Sequence, residues 1–278
     1  MPRNPNGELV EREFLTLPVW DRLDAHTAET VARAVEQCLP EPWKFHRIEW
    51  HECGDQKRHV AFFKWKKAKF ALVPGGEVTL GYDPTKPFEP TAAQEESWQG
   101  TVAEYRMPPL AKYLRKYMTP LRRICLAPML VEVRPVDANQ LLTAEAEFLA
   151  NKTFRLLTVD EWEYACGAGS RTLWRWGNET PEIGYPTQFA RSRRFRAPRK
   201  PNAFGMLFPS NGYDAEGIRG ARGLIARSGD GGGMTCGGAG FLAAWLLLAT
   251  SFRTDVACDP DAWNVVRRVF PLPDSMLG

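Results

Sequence analysis

The sequence has few cysteines, and none of them forms a Cys-x-x-Cys pair. The six cysteines are scattered through 278 residues, at Cys38, Cys53, Cys125, Cys166, Cys236 and Cys258. The start of the chain is polar, without the apolar stretch of a secretory signal. We therefore expect reduced thiols, which excludes a disulfide framework and a structural zinc site built from cysteine pairs.

Long apolar runs and a strong charge of either sign are also lacking. The longest apolar run, residues 241–249, has nine residues, whereas a helix needs about 20 to cross a bilayer. The formal net charge is +3, too small by itself to indicate a nucleic-acid or membrane partner. We expect a soluble, cytoplasmic protein.

Aromatic residues, glycine and proline are plentiful. Ten Trp, fifteen Phe and seven Tyr supply large pieces for a core. The 23 Gly and 22 Pro predict many turns between short elements. A chain of 278 residues makes one large domain or two small ones.

Local patterns predict a mixture of helices and strands. A helix is predicted after an N-cap at Thr27, since apolar residues follow at helical spacing as far as Leu39. Further helices are predicted over residues 110–117 and 143–150. Strands are predicted over 43–53 with one irregularity, 59–73 with a break at Lys66 and Lys67, 77–82, 129–133, 241–253 and 262–272. Residues 83–100 are predicted to be an exposed loop.

A capping box precedes one short helix. Thr158 and Glu161 have the spacing at which each side chain bonds the other residue's amide, and Gly167 has the place of a C′ glycine. Trp162 and Ala165 lie on one face of that helix. We expect Trp162, Ala165, Trp174 and Trp176 to be buried together.

Six segments carry a family resemblance: residues 70–81 with a Pro-Gly-Gly turn, 154–165, 174–177, 201–206, 231–233 and 265–269. They resemble motifs of the formylglycine-generating enzyme family, also called sulfatase-modifying factors. The resemblance covers residues 67–278 and implies a compact, loop-rich α+β fold similar to C-type lectins. Residues 1–66 would then be a helix-and-strand extension packed on this core.

The chain departs from the family where its members bind structural calcium. They read D-M-x-G-N-V-W-E-W there, whereas this chain lacks the tryptophans and reverses the Gly-Asn order. The resemblance leaves Asn211, Asp214 and Glu216 as possible oxygen ligands. The alternative is a polar turn with solvated acids.

A second departure concerns the copper(I) site of active family members, which lies between two cysteines about five residues apart. Cys236 corresponds to the first cysteine, but Phe241 stands five residues later and the next cysteine is Cys258. Linear dithiolate binding needs both sulfurs. The apolar run over 241–249 indicates core instead of a polar active-site strand, so the oxidase site looks dismantled.

Two other clusters contain residues that bind ligands in many proteins. His46, His51, Cys53 and His59 lie close in sequence, but their spacing fits no zinc motif, and we expect strand-surface histidines without zinc. A basic run contains Arg193, Arg194 and Arg196 and is either an anion-binding loop or a solvated one.

Three functions follow from the resemblance. The first is a catalytically inactive recognition module with a protein or peptide partner, and without nucleic acid or membrane. The second is a copper-dependent oxidase of peptidyl cysteine or a related thiol. The third is a variable-loop binding protein on the same fold.

Overall fold

The central element of the fold is a five-stranded antiparallel sheet. The computed structural model describes residues 10–139, 154–189, 192, 194–236, 239–254 and 263–276. Along the sheet the order is β1 (Trp43–Cys53), β2 (Gln56–Trp65), β3 (Ala68–Val73), β6 (Met129–Glu132) and β11 (Val269–Pro271).

The first hairpin belongs to the same sheet as the strands that follow it. A bulge between Phe45 and Arg47 interrupts the register of β1, which confirms the predicted irregularity. Lys66 takes φ 55° at the turn between β2 and β3, confirming the predicted break. Residues of β2 pair directly with β3, so the N-terminal strands extend the central sheet.

One face of the sheet is covered by the first helices, α1 (Leu17–Trp20) and α2 (Ala25–Cys38). Asp24 caps α2 by accepting a 2.7 Å hydrogen bond from the Thr27 amide. The predicted N-cap at Thr27 was therefore wrong by three positions, because the carboxylate upstream is the stronger acceptor. Beneath α2 lies an apolar core with an aromatic cluster of Trp43, Phe70, Phe154 and Phe270.

The opposite face packs on α5 (Val159–Gly167). Thr158 and Glu161 form the predicted capping box, with both hydrogen bonds present. The predicted C′ glycine at Gly167 was wrong, since the left-handed residue is Ala168 at φ 52°. Trp162 and Ala165 are fully buried in this second core.

A third apolar cluster joins three helices: α3 (Ala92–Tyr105), α4 (Leu110–Tyr117) and α8 (Phe241–Leu246). The helix predicted over residues 110–117 is confirmed by α4. The loop predicted over 83–100 was wrong in its second half, where α3 begins at Ala92. The buried residues of α3 are Gln94, Trp98 and Thr101, two of which are polar. The sequence therefore shows no apolar stripe by which this helix could be predicted.

The strand predicted over 241–253 was also wrong. Its run of Ala and Leu suits a helix as well as a strand, and Ser97 Oγ accepts from the Leu242 amide at 3.1 Å as α8 begins. The segment is nevertheless buried, as predicted for core. Trp174 is buried in this cluster beside a partly exposed Trp176. The prediction that these two are buried together with Trp162 and Ala165 was therefore wrong.

Two smaller sheets complete the described α+β structure. One pairs β4 (Gly76–Leu80) with β5 (Arg122–Leu126). The other has the order β7 (Val136–Asp137), β10 (Val265–Val266), β8 (Glu216–Arg219) and β9 (Leu224–Arg227). Short helices α6 (Pro186–Phe189) and α7 (Gly233–Cys236) follow surface turns. The helix predicted over 143–150 lies outside the described residues.

Candidate functional site

A cleft of about 410 Å³ opens between two loops. The first loop, residues 81–89, follows β4, and the second, residues 171–178, follows α5. Arg171 joins them, since its guanidinium donates to the carbonyls of Thr79 at 3.0 Å and Gly81 at 2.7 Å. The cleft is therefore bounded by segments that are hydrogen-bonded to each other.

The first loop is shaped by its own short-range hydrogen bonds. Gly81 has φ +87°, and a Cβ there would lie 2.0 Å from the Pro120 carbonyl oxygen, so only glycine fits. Asp83 accepts from the amide and hydroxyl of Thr85, and these bonds lower the pKa of the Asp83 carboxyl. The Phe88 amide donates to the Tyr82 hydroxyl at 3.1 Å and closes the loop.

The second loop is a tight return held at both ends. Trp174 and Gly177 exchange backbone hydrogen bonds of 3.1 and 3.0 Å. The Leu173 amide donates to the Asn178 side chain at 2.7 Å. This loop contains the Trp-Arg-Trp-Gly segment that resembles the family motif, but the residues that line the cleft are those flanking it, Arg171, Thr172, Leu173 and Asn178.

Beneath the lining, the buried carboxylate of Glu163 on α5 binds Gly81 and Ser251, and we call this buried network the floor of the cleft. One oxygen accepts from the Gly81 amide and from the Ser251 hydroxyl, the latter at 2.9 Å. The other accepts from the Thr119 hydroxyl at 2.7 Å and from Arg122 at 3.0 Å. Four donors satisfy both oxygens, so Glu163 fixes the floor and has no acceptor site left for a substrate proton.

Arg122 carries a second carboxylate partner at the rim of this network. Its guanidinium donates to Asp160 at 2.9 and 2.6 Å. Partial burial disfavours the charge, but Glu163 and Asp160 outweigh burial and raise the pKa of Arg122. The floor is thus an ion-pair network centred on Arg122.

The lining combines charges of both signs with apolar surface. Asp83, Lys86, Glu89 and Arg171 supply the charges, and Phe88 is one of the apolar residues. Within the described part of the chain, Lys86 and Glu89 form no ion pair. They are therefore free to contact a ligand.

The described lining offers no nucleophile beside a base. It contains neither His nor Cys. The Ser251 hydroxyl donates directly to Glu163, without a histidine between them, and Glu163 also accepts from three other donors. This arrangement can bind and orient a polar molecule, and it lacks the pair of groups that acyl transfer requires.

The copper ligands expected from the resemblance cannot be placed against this cleft. Cys258 and the side chain of Cys236 lie outside the described residues, although the backbone of Cys236 ends α7. The described cysteines are free, and burial raises the pKa of the Cys166 thiol to about 12. The dithiolate site therefore stays a prediction.

The suggested calcium ligands are already engaged by nitrogen donors. Asp214 accepts from the amide groups of Asn211 at 2.9 Å and Asn264 at 3.1 Å. Glu216 forms a fully buried bidentate pair with Arg267. The described oxygens of this set face N–H groups and do not form a cation cage, so calcium binding stays a prediction that their geometry does not favour.

The histidine cluster is divided between the two faces of the first hairpin. His51 contacts Glu49 and the ring of Phe62 on the side of α5. His59 pairs with Trp50, their rings 4.8 Å apart, on the side of α2. Among the described residues no group of three His, Cys, Asp or Glu is placed to hold a metal ion.

The basic run contributes exposed side chains on a loop that is anchored by an aromatic residue. Arg194 and Arg196 are exposed, while Arg193 lies outside the described residues. Phe195, between them, packs against Trp176 and Trp245. Anion binding by the three arginines stays a prediction.

Sequence reasoning missed the role of Glu163. A signal was present, because Glu163 follows Trp162 on the buried side of a helix, where an unpaired carboxylate is costly.

No protein-family model and no curated protein sequence matches this chain. No described helix is long and apolar enough to cross a membrane.

Proposed function

We propose that this chain is a catalytically inactive recognition module, a divergent member of the formylglycine-generating enzyme family with its C-type-lectin-like fold. In this proposal it acts in the cytoplasm. Its cleft binds a short segment of a protein or peptide partner. The family assignment is supported by the sequence segments that resemble the family motifs, among them those around Trp162 and Trp174.

The observation that carries the binding function is a cleft whose loops are tied by hydrogen bonds, with Lys86 and Glu89 outside any ion pair and no nucleophile–base pair among its described lining residues. Glu163 and Arg171 fix the two loops, so little conformational entropy is lost when a ligand enters. Lys86 and Glu89 offer one charge of each sign beside the ring of Phe88. A peptide segment with an acidic, a basic and an apolar side chain has the complementary chemistry.

The test is an NMR titration of the ¹⁵N-labelled full chain with tripeptides that carry one acidic, one basic and one aromatic side chain. We expect amide shifts concentrated in residues 81–89 and 171–178. Lys86→Ala should weaken binding about fivefold, since removing one rim charge costs about 1 kcal/mol. Lys112→Ala, an exposed lysine on α4, is the matched control and should leave binding unchanged.

Two results would contradict the proposal. In the first, no tripeptide shifts the amides of either loop. In the second, Lys86→Ala and Lys112→Ala bind equally well, which would place the ligand elsewhere.

A further inference from the structure

A groove of about 510 Å³ runs along the exposed side of α3, separate from the cleft. Its walls are one face of α3, the segment before α6 and the first residue of α8. Residues that define it are Glu96, Gly100, Glu104, Ile183, Tyr185 and Phe241. None of the described residues lining the cleft lines this groove.

The groove is held open by contacts between α3 and the start of α8. The Thr101 hydroxyl donates to the Ala239 carbonyl at 2.8 Å. Gly240 approaches so closely that a Cβ there would lie 2.2 Å from the Thr101 hydroxyl. Gln94 of α3 also donates to the Thr180 hydroxyl at 3.1 Å, two residues before the wall segment that begins at Glu182. The walls are thus fixed before any partner arrives.

The groove has apolar side chains that are open to solvent. Ile183 is 73% exposed, the most exposed large hydrophobic residue in the described chain. Tyr185 and Phe241 pack edge to face with their ring centroids 4.8 Å apart. A Cβ on Gly100 would have no atom within 4 Å. An apolar side chain of a partner could therefore pack between α3 and the rings of Tyr185 and Phe241.

The rim of the groove is acidic, and the side chain of one of its glutamates, Glu104, is hydrogen-bonded to Tyr105. Glu96, Glu104 and Glu182 are exposed, and no ion pair within the described chain involves them. The described lining contains no Lys, Arg or His. In a chain of net charge +3, this surface carries the opposite sign. It is complementary to a cation.

The spacing of the carboxylates indicates an extended occupant. Glu96 and Glu104 are eight residues apart on α3, which corresponds to about 12 Å along the helix axis. One ammonium ion contacts only one of them at a time. A peptide of about four extended residues covers the same length and presents a basic side chain to each.

We propose that this groove docks a basic peptide segment of a partner protein. An aliphatic or aromatic side chain of that segment lies against Tyr185 and Phe241. Its Lys or Arg residues face Glu96, Glu104 and Glu182. The inference is independent of the ligand in the cleft, because the two sites share no residue.

The experiment selects peptides from a displayed random decapeptide library on the immobilised full chain. Synthetic copies of the selected peptides are then measured by fluorescence anisotropy. We expect sequences rich in Lys or Arg with at least one aromatic or aliphatic residue. Their affinity should fall as salt rises, because the carboxylates are exposed.

Two variants locate the peptides on the protein. Gly100→Trp fills the groove where the added side chain meets no atom, and it should weaken binding at least about tenfold. The triple variant Glu96→Gln, Glu104→Gln, Glu182→Gln preserves the shape and should both weaken binding and remove most of its salt dependence. Ala103→Trp, on an exposed part of α3 outside the groove, is the matched control and should bind as the unaltered chain does.

Several results would overturn the proposal. One is a selection that yields no peptides or no excess of basic residues. Another is Gly100→Trp or the triple variant binding as the unaltered chain does. A dimer in light scattering that Gly100→Trp dissociates would show a second copy in the groove instead of a partner's segment. Loss of peptide binding in the Lys86→Ala variant, a substitution in the cleft, would show that the peptides bind in the cleft instead.

Discussion

The buried carboxylate of Glu163 accepts a 2.9 Å hydrogen bond from the hydroxyl of Ser251, which lies 88 residues further along the chain. The same carboxylate oxygen also accepts from the amide of Gly81. One side chain on α5 therefore joins the first loop of the cleft to the segment that follows α8. The shape of the cleft depends on this carboxylate.

Replacing Glu163 with alanine should lower the free energy of unfolding by about 3 kcal/mol. The substitution leaves the buried donors of Gly81 and Thr119 without an acceptor, and each such donor costs about 1–3 kcal/mol. Urea denaturation at neutral pH measures the change.

Glu77→Ala provides the control for that measurement. The side chain of Glu77 is 75% exposed, and its ion pair with Arg123 is long, at 4.0 Å. The loss in the free energy of unfolding should therefore be under about 0.5 kcal/mol. Equal stability of the Glu163 and Glu77 variants would contradict the assigned role of Glu163.

Trp162→Ala should destabilise the fold by about 3–5 kcal/mol, as removal of a large core aromatic does. Trp162 is fully buried and packs edge to face on Phe208 at 5.8 Å. Trp50→Ala is the comparison, because that residue is 50% exposed and should cost less than about 1 kcal/mol. Thermal unfolding of both variants decides; an unchanged melting temperature for Trp162→Ala would refute the described core.

The buried pair of Glu216 and Arg267 should behave as one unit. Arg267→Met leaves the Glu216 carboxylate buried without its partner and should cost about 3–5 kcal/mol. Adding Glu216→Gln to Arg267→Met removes the stranded charge and should recover part of that loss. If the double variant is no more stable than Arg267→Met, or if calcium stabilises the unaltered chain through Glu216, the pairing is not the role of Glu216.

The capping box at the start of α5 makes a pH-dependent contribution to the stability of the fold. Burial opposes ionisation of Glu161, but hydrogen bonds from Arg155 and from the Thr158 amide outweigh it, so the pKa of Glu161 lies below its usual value of 4.5. A lowered folded-state pKa stabilises the protein above the unfolded-state pKa. This stabilisation is lost as the pH falls through the folded-state pKa.

Glu161→Gln tests this contribution, because Gln keeps the capping hydrogen bond and removes the charge. At neutral pH the variant should be less stable by about 1 kcal/mol. The gap should close as the pH falls below the usual pKa of a glutamate. Urea unfolding across this range, with Glu77→Gln as the control, measures the gap; a gap that stays constant with pH would contradict the charge pairing.

Much of the local structure could be predicted because it rests on short-range patterns. The bulge in β1 and the capping box at Thr158 are both set by residues a few positions apart. The errors in the type of element, as distinct from the misplaced helix caps, occurred where distant contacts decide. The segment starting at Phe241 is helical because α3 supplies Ser97 as an acceptor, and α3 itself has only one large buried residue, Trp98.

The candidate site was harder to predict than the fold, for the same reason. Its floor unites Gly81, Thr119, Glu163 and Ser251, which no local motif connects. The residues singled out from the sequence, such as Glu216, carry the right oxygen atoms, but a partner distant in sequence occupies them. The kind of ligand that a side chain can bind is predictable from its residue type. Whether its oxygen atoms are available to that ligand depends on neighbours that are distant in sequence.

The central claim, that this domain recognises a peptide without oxidising it, is tested most directly by an activity assay. Copper-loaded protein is incubated under oxygen with a cysteine-containing, sulfatase-type peptide, and mass spectrometry follows the aldehyde product. We predict no aldehyde above the level given by Cys236→Ser. Turnover that Cys236→Ser abolishes would contradict the account, and loss with Cys258→Ser as well would identify Cys258 as the second copper ligand.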